Sequence, residues 1–376
     1  MAFGRSFIAN RDTTRVERVT TRHALEEFAR LPYQIYAGRA AWWPPDVQNE
    51  IDFLSRGTPV TSYLDLAGFC ARRGEQMVAR VTAVINRRYN DHWNEKLGHL
   101  IHFEALEDEN EATVAMLQAA TEWLRARGMI AVRTGFAAFL DYPYVIDNYG
   151  RLPSFLLRGN PAYYHCYLKH AGFEIEKGQL DYTAPLDADM QARYRGMIEA
   201  SAKQGVVLKS WRQFGFLAAI DAWTDVTNAA FARHWGWHPV MRDEVRPMLM
   251  SLGDTAVGDL SVIAELNQEV VGAVFSVPDW SSMLARIKRG VVLDPERGGG
   301  TRGALVNIGV VEAARGRGIA VAMAAKSFLT MAQQGMRYAG YTLVLDDNWA
   351  SRRTAESLGA RITDNFVTYR HNFQTR

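Results

Sequence analysis

The sequence predicts a mixed α/β chain made of two copies of one unit of strands and helices. Three observations lead to this. A length of 376 residues, set against roughly 150 residues per domain, points to two domains. A hydrophobic content of 48% supplies a core for each, and 22% charged with 11% aromatic residues excludes disorder, collagen and low-complexity chain. One order of elements also recurs at an offset of about 190 residues.

Each half opens with a helix-like stretch that runs into an aromatic and proline cluster. In the first half this is Trp42-Trp43-Pro44-Pro45-Asp46, and in the second Trp235-Gly236-Trp237-His238-Pro239. A hairpin follows, because β-branched and apolar runs flank a short polar turn: residues 68–72 and 77–84 around 73–76, then 261–266 and 270–277 around 267–269. Next come a strand and a helix. Residues 100–103 precede a helix with Met116, Ala120 and Trp123 on one face, ending at Gly128; residues 304–311 precede one with Val321, Ala325, Phe328 and Ala332 in a stripe, ending near Gly335. Each half closes with a strand, a short helix, a glycine turn at Gly172 or Gly359, and an alternating strand at 174–182 or 361–369. The seam is expected near residues 185–189, giving domains 1–184 and 185–376. The glycine-rich stretch 288–303 reads as a surface loop.

Charge and cysteine content narrow the function classes. Lys plus Arg number 43 against 41 acids, so the whole chain has no strong field for nucleic acid or an anionic membrane, and any anion site must be local. Cys70 and Cys166 are too few and too far apart for a disulfide scaffold or a multi-cysteine zinc site, and suit a reducing compartment. No run approaches the ~18 apolar residues of a membrane span, and the first residues lack an apolar core for secretion, so the cytoplasm is expected.

The sharpest motif is Val310-Val311-Glu312-Ala313-Ala314-Arg315-Gly316-Arg317-Gly318-Ile319-Ala320, between a strand and an Ala-rich amphipathic helix. A helix start presents free backbone N–H groups and the positive end of the macrodipole, which suits a diphosphate. Gly316 and Gly318 let the backbone turn tightly, and Arg315 and Arg317 add local positive charge. There is no G-x-x-x-x-G-K-[ST], and no G-x-G-x-x-G at this point, so ATP hydrolysis and hydride transfer lose support.

Arg315-x-x-Gly318-x-Ala320 after an apolar strand resembles the [QR]-x-x-G-x-[GA] pyrophosphate loop of GNAT-superfamily acyl-CoA N-acyltransferases. The downstream helix, the strand 341–345, Asn348 and the short helix ending at Leu358-Gly359 follow that family's order, so the resemblance covers about residues 186–376. By the repeat, residues 15–184 look like a second, degenerate copy, and the whole is similar to bacterial tandem-GNAT proteins. In the first copy the same strand-to-helix junction, residues 104–111, has no glycine and five carboxylates, which would repel a diphosphate; it reads as a solvated acidic helix cap, in a half without cofactor.

The resemblance implies two GNAT-like domains, each a mixed, mostly antiparallel twisted sheet flanked by helices, with a splayed strand pair at the cofactor site, and attack of a neutral amine on an acyl-CoA thioester, acetyl-CoA or another acyl-CoA. The cofactor set is then Val310, Val311, Arg315, Gly316, Arg317, Gly318, Ile319, Ala320 and Asn348, with Val310 and Val311 at the splay that supplies an oxyanion donor. Such chemistry needs a base, and Glu312 and Asp346 are the candidates; capping is the better reading for the acids before Asn348. The family's usual acid, a tyrosine seven residues after the asparagine, is Ala355 here, and Tyr338, Tyr341 and Tyr369 do not match by spacing. Trp235, Trp237 and His238 are candidate walls for the acceptor, with core packing as an equal reading for the tryptophans. His234 and His238 stand four apart, but Gly236 and Pro239 break the helix that would pair them, so no metal is expected. Function is therefore expected to be N-acyl transfer, with acetyl as the expected group, to a small-molecule or peptide amine, with a non-catalytic acyl-CoA-binding scaffold as the alternative. Nothing in the sequence indicates a long acyl pocket.

Overall fold

The computed structural model describes residues 13–39, 41–137, 140–155, 157–290 and 301–373. Most of the glycine-rich stretch, residues 291–300, lies outside them. The first half comprises β1 (Thr14–Arg18), α1 (Arg22–Ile35), α2 (Val47–Leu54), β2 (Leu64–Arg73), β3 (Gln76–Asn86), α3 (Arg87–Trp93), β4 (Leu97–Ala105), α4 (Asn110–Arg125), β5 (Ala131–Thr134), β6 (Tyr144–Val145), α5 (Tyr164–His170) and β7 (Glu174–Pro185). The second comprises α6 (Ala188–Ala202), β8 (Val206–Ser210), α7 (Trp211–Phe214), α8 (Phe216–Phe231), α9 (Arg242–Ser251), α10 (Asp254–Val257), β9 (Val262–Leu266), β10 (Glu269–Pro278), α11 (Ser281–Arg289), β11 (Arg302–Val310), α12 (Ile319–Gln333), β12 (Tyr338–Leu345), α13 (Trp349–Ser357) and β13 (Arg361–Asn372).

Both expected hairpins form, as β2–β3 and β9–β10, because their polar turns sit between runs that bury side chains in the sheet. The strand–helix–strand units β4–α4–β5 and β11–α12–β12 follow, each closing a parallel pair, which a crossover helix makes possible. Burial on α12 is broader than a single stripe: Ala322, Met323, Ala324, Ala325, Phe328 and Met331 are all buried, while Val321 and Ala332 lie at the margin.

The described strands form a single sheet rather than one per half, in the order β1-β2-β3-β4-β5-β13-β7-β12-β11-β10-β9-β8, with β6 paired to β13 off this path. The last strand of each half crosses over. β13 pairs with β5 of the first half, β7 pairs with β12 of the second, and the two pair antiparallel with each other. Residue 185, at the expected seam, ends β7, and α6 starts at Ala188 under the cap of Asp187. The alternation of a strand fills either sheet equally well, so the exchange leaves no trace in the pattern.

Further contacts tie the halves. Arg302 at the start of β11 bonds Asp279 at 2.5 Å, both side chains buried, and also donates to the Leu152 and Pro153 carbonyls. At the centre of the exchange Asp181 and Asp364 face each other across β7 and β13, both buried. Arg151 pairs with Asp364 at 3.3 Å and Ser154 donates to Asp181 at 2.8 Å. Burial and then the Asp364 charge push Asp181 up to about 7.

A raised carboxyl in the fold means that its ionisation costs stability, with no cost below the ordinary aspartate value and the full cost above the raised one. Asp181→Asn is therefore expected to be more stable than wild type at pH 8, the gap closing towards pH 4, by roughly 1–4 kcal/mol at about 1.4 kcal/mol per pKa unit. Urea denaturation at the two pH values measures it; a gap independent of pH removes the argument.

Candidate functional site

β11 and β12 pair only from Arg302 opposite Tyr338 to Leu305 opposite Tyr341, and then diverge. Two irregularities drive them apart. β11 slips by one residue against β10 at Val306, and β12 breaks register with β7 between Tyr341 and Val344, where Leu343 has φ 53°. The gap is a cleft of about 1070 Å³. Its walls are residues 305–310 and 341–345, the turn and first residues of α12, residues 229–235 at the end of α8 and in the turn after it, and Phe136, Tyr142 and Phe155 from the first half.

The splay thus starts at Leu305 and Tyr341, upstream of the expected Val310 and Val311. Val311 is also unsuited as an oxyanion donor, because its N–H is bonded to the Val271 carbonyl at 2.9 Å, and it is off the cleft wall. Most of the turn lines the cleft. Val310, Arg315, Gly316, Gly318, Ile319 and Ala320 are on the wall, whereas Arg317 is exposed and off it. Gly316 and Gly318 take φ of 80° and 71°, a left-handed conformation costly for other residues. No side chain caps α12 at Gly318, so the leading N–H groups of the helix stay open to a ligand. Arg315 braces the turn by donating to the carbonyls of Val310 and Ala230 at 3.2 and 3.0 Å. Asn348 is on the wall and caps α13 through the Ser351 N–H at 3.1 Å.

The expected bases fit poorly. Glu312 is on the wall but its side chain is 75% exposed and paired with the still more solvated Arg233 at 3.2 Å. Asp346 is exposed and off the wall, beyond the end of β12, and Asp347 bonds Lys177 at 2.7 Å. Ala355 is buried in the core, so the cleft meets α13 through Ala350, Ser351 and Thr354 instead. Among the three tyrosines noted, Tyr341 reaches the cleft, where its hydroxyl shares a hydrogen bond with Ser351 at 3.0 Å and burial pushes it up to about 12.

In the aromatic segment, Trp235 and Trp237 line the cleft and His238 does not. His238 is buried against the first half, its Nε2 3.1 Å from the Asn86 amide and its Nδ1 donating to the Pro239 carbonyl. The same turn is clamped by Trp93, which donates to the Trp237 carbonyl at 2.6 Å, and by the Arg133 guanidinium over Trp235 at 4.4 Å. His234 stands on the wall, unforeseen except as half of a metal pair. Among the described residues no group of three or more His, Cys, Asp or Glu could hold a metal ion.

In the first half β4 and β5 likewise pair for only four residues, Leu97–Leu100 with Ala131–Thr134. Past that point Phe103, Tyr144 and Tyr164 pack together in the core. The acidic junction is not wholly a solvated cap: Glu104 is buried, accepting from Tyr36 at 3.0 Å and Tyr164 at 2.7 Å, and burial raises its carboxyl.

A parallel pair that splays over a glycine turn at a helix start defines the class. Residues 220–360 match the Acetyltransferase (GNAT) family. The whole chain has the fold of a tandem GNAT protein from the clavulanic acid biosynthesis pathway: it is similar over 97% of its length to all of that protein, with TM-score 0.59 and 11% identity. It is also similar, over 95% of its length, to a fungal multi-domain GH3 β-N-acetylglucosaminidase with a GCN5-related glucosamine N-acetyltransferase region, at TM-score 0.59 and 16% identity, and spans 38% of that chain. A sequence relative is the "Bacterial ceramide synthase" of Caulobacter vibrioides, 23% identical over 273 residues, which are 72% of this chain and 71% of that one.

Gly236 has φ 78°, and a Cβ there would collide with the Phe136 ring. Gly236→Ala is expected to cost about 1–3 kcal/mol by chemical denaturation, from strain and overpacking together. An unchanged midpoint would show that the cleft wall is not held rigidly against the first half.

Proposed function

We propose that the second half is an acyl-CoA-dependent N-acyltransferase and that the first half walls its cleft without binding a cofactor. The observation that carries this is the open splay between β11 and β12, which ends on an uncapped glycine turn. In this reading the N–H groups at the start of α12 hold the CoA diphosphate, with Gly316 and Gly318 allowing its approach and Arg315 bracing the turn. The edge of residues 306–310 that the splay leaves unpaired towards β12 pairs with the pantetheine amides and supplies the oxyanion donor. The amine forms a C–N bond to the thioester carbon, the C–S bond breaks, and the thiolate takes a proton, with the Tyr341–Ser351 pair on the cleft wall as hydrogen-bond donor.

Acetyl-CoA is the smallest donor for such a site. The far wall, with Phe155, Leu249, Leu252, Phe275, Val277 and Val306, is apolar and suits a longer chain on the acyl group or on the acceptor. The likeness to a protein named a ceramide synthase supports the same class, since a ceramide is an amide of a long-chain amine. The cytoplasm is the location this reading favours; Cys70 and Cys166 are both unpaired, and no helix among the described residues is long and apolar enough to cross a membrane.

Calorimetry with acetyl-CoA and palmitoyl-CoA, followed by thiol release against short and long-chain amines, tests the proposal. Wild type is expected to bind an acyl-CoA and to release thiol when a long-chain amine is present. Gly318→Pro, whose ring fixes φ near −65° where the chain needs a positive value, is expected to weaken binding at least tenfold. Absence of binding, or undiminished binding by the variant, rejects the site. Binding without turnover over all amines leaves the non-catalytic acyl-CoA binder.

A further inference from the structure

The acceptor amine is an ammonium ion at neutral pH, so the transfer requires a base inside the cleft, and neither carboxylate expected for that role is placed for it. Glu312 is solvated and paired with Arg233, and Asp346 lies off the wall. One imidazole does line the cleft. His234 sits in the turn after α8, between Phe231 and Trp235, which are also on the wall.

Its ring is held from several sides. The backbone N–H of His234 donates to the Phe231 carbonyl at 2.7 Å, and the ring meets Phe231 edge-on with centroids 4.9 Å apart. Nδ1 lies 3.1 Å from the Trp235 carbonyl. A carbonyl oxygen only accepts, so Nδ1 carries the hydrogen and, in the neutral ring, the lone pair is on Nε2. Nε2 has no hydrogen-bond partner among the described residues. The turn is further pinned by the first half, through Trp93 on the Trp237 carbonyl and Phe136 against Trp235.

We propose that His234 Nε2 is the general base of the acyltransferase reading given above, on which this inference rests. Nε2 takes one proton from the ammonium and passes it to solvent; the neutral amine then attacks the thioester carbon, and the second nitrogen proton ends on the departing thiolate. The charges that face the ring are Asp347 and Lys177, of opposite sign and bonded to each other at 2.7 Å, so their effects oppose. Burial dominates and lowers the imidazole below its usual value, which keeps it neutral and able to accept a proton at pH 7.

The test is the pH dependence of thiol release by the full chain with palmitoyl-CoA and a long-chain amine, read beside calorimetry with palmitoyl-CoA alone. Wild type is expected to lose rate as pH falls through a value below 6.5. His234→Gln is expected to lower kcat by roughly 10²–10³-fold, to flatten that acidic limb, and to keep acyl-CoA affinity within threefold, which shows that it is folded. His234→Ala is expected to recover at least tenfold in rate when free imidazole is added. A variant that keeps its acidic limb with kcat within threefold overturns the base and leaves the acyltransferase standing; a wild type that releases no thiol overturns both. Independently of turnover, nitrogen NMR of the neutral ring is expected to show the proton on Nδ1, and a proton on Nε2 would overturn the assignment.

Discussion

The antiparallel pairing of β7 with β13 is the interaction on which the rest of the structure depends. Each is the last strand of its half, and each sits beside the fifth strand of the other half, β12 or β5. Removing either would leave unpaired edges in the middle of the sheet and not at its rim. One wall of the cleft is β12, and what backs β12 is β7, a strand of the first half. The cleft is therefore a joint product of both halves, although its turn and helix belong to the second. The facing Asp181 and Asp364 show that the join carries a cost, offset in part by Arg151, Arg302 and Ser154.

The two copies share a backbone plan and differ in what fills it. Both have a short parallel pair that splays, and both have a crossover helix after it. In the second copy a glycine turn leaves the amides of α12 open. In the first, the place of the glycines is taken by carboxylates, and Tyr36 and Tyr164 close over Glu104. The same fold thus yields a cleft in one half and a packed support in the other, and the difference lies in a few side chains at one junction.

Much of the candidate site was legible in the sequence as a glycine turn before a helix, because that turn is local chemistry. Arg315, Gly316, Gly318, Ile319 and Ala320 are contiguous, and the conformation of a turn before a helix is decided by its own residues. Asn348 was legible for the same reason, as the cap of α13. The catalytic candidates were not. Whether Glu312 is solvated, Asp346 is off the wall or His238 faces Asn86 depends on what packs against each from a distant part of the chain. His234 drew notice only as half of a metal pair with His238, which Gly236 and Pro239 argue against, and nothing local to it marks a place on the cleft wall.

The sequence by itself determined the two hairpins, the two strand–helix–strand units, the near-neutral charge and the asymmetry between a glycine turn and an acidic junction. These follow from periodicity and from residues adjacent in the chain, whose preferences act within a few positions. Only the tertiary structure decided that the last strands change places, that the splay opens at Leu305 and Tyr341, and that the first half supplies Phe136, Tyr142 and Phe155 to the cleft. The physical reason is that strand pairing is set by which edge a strand meets, and an alternating pattern of buried and exposed side chains fits either edge.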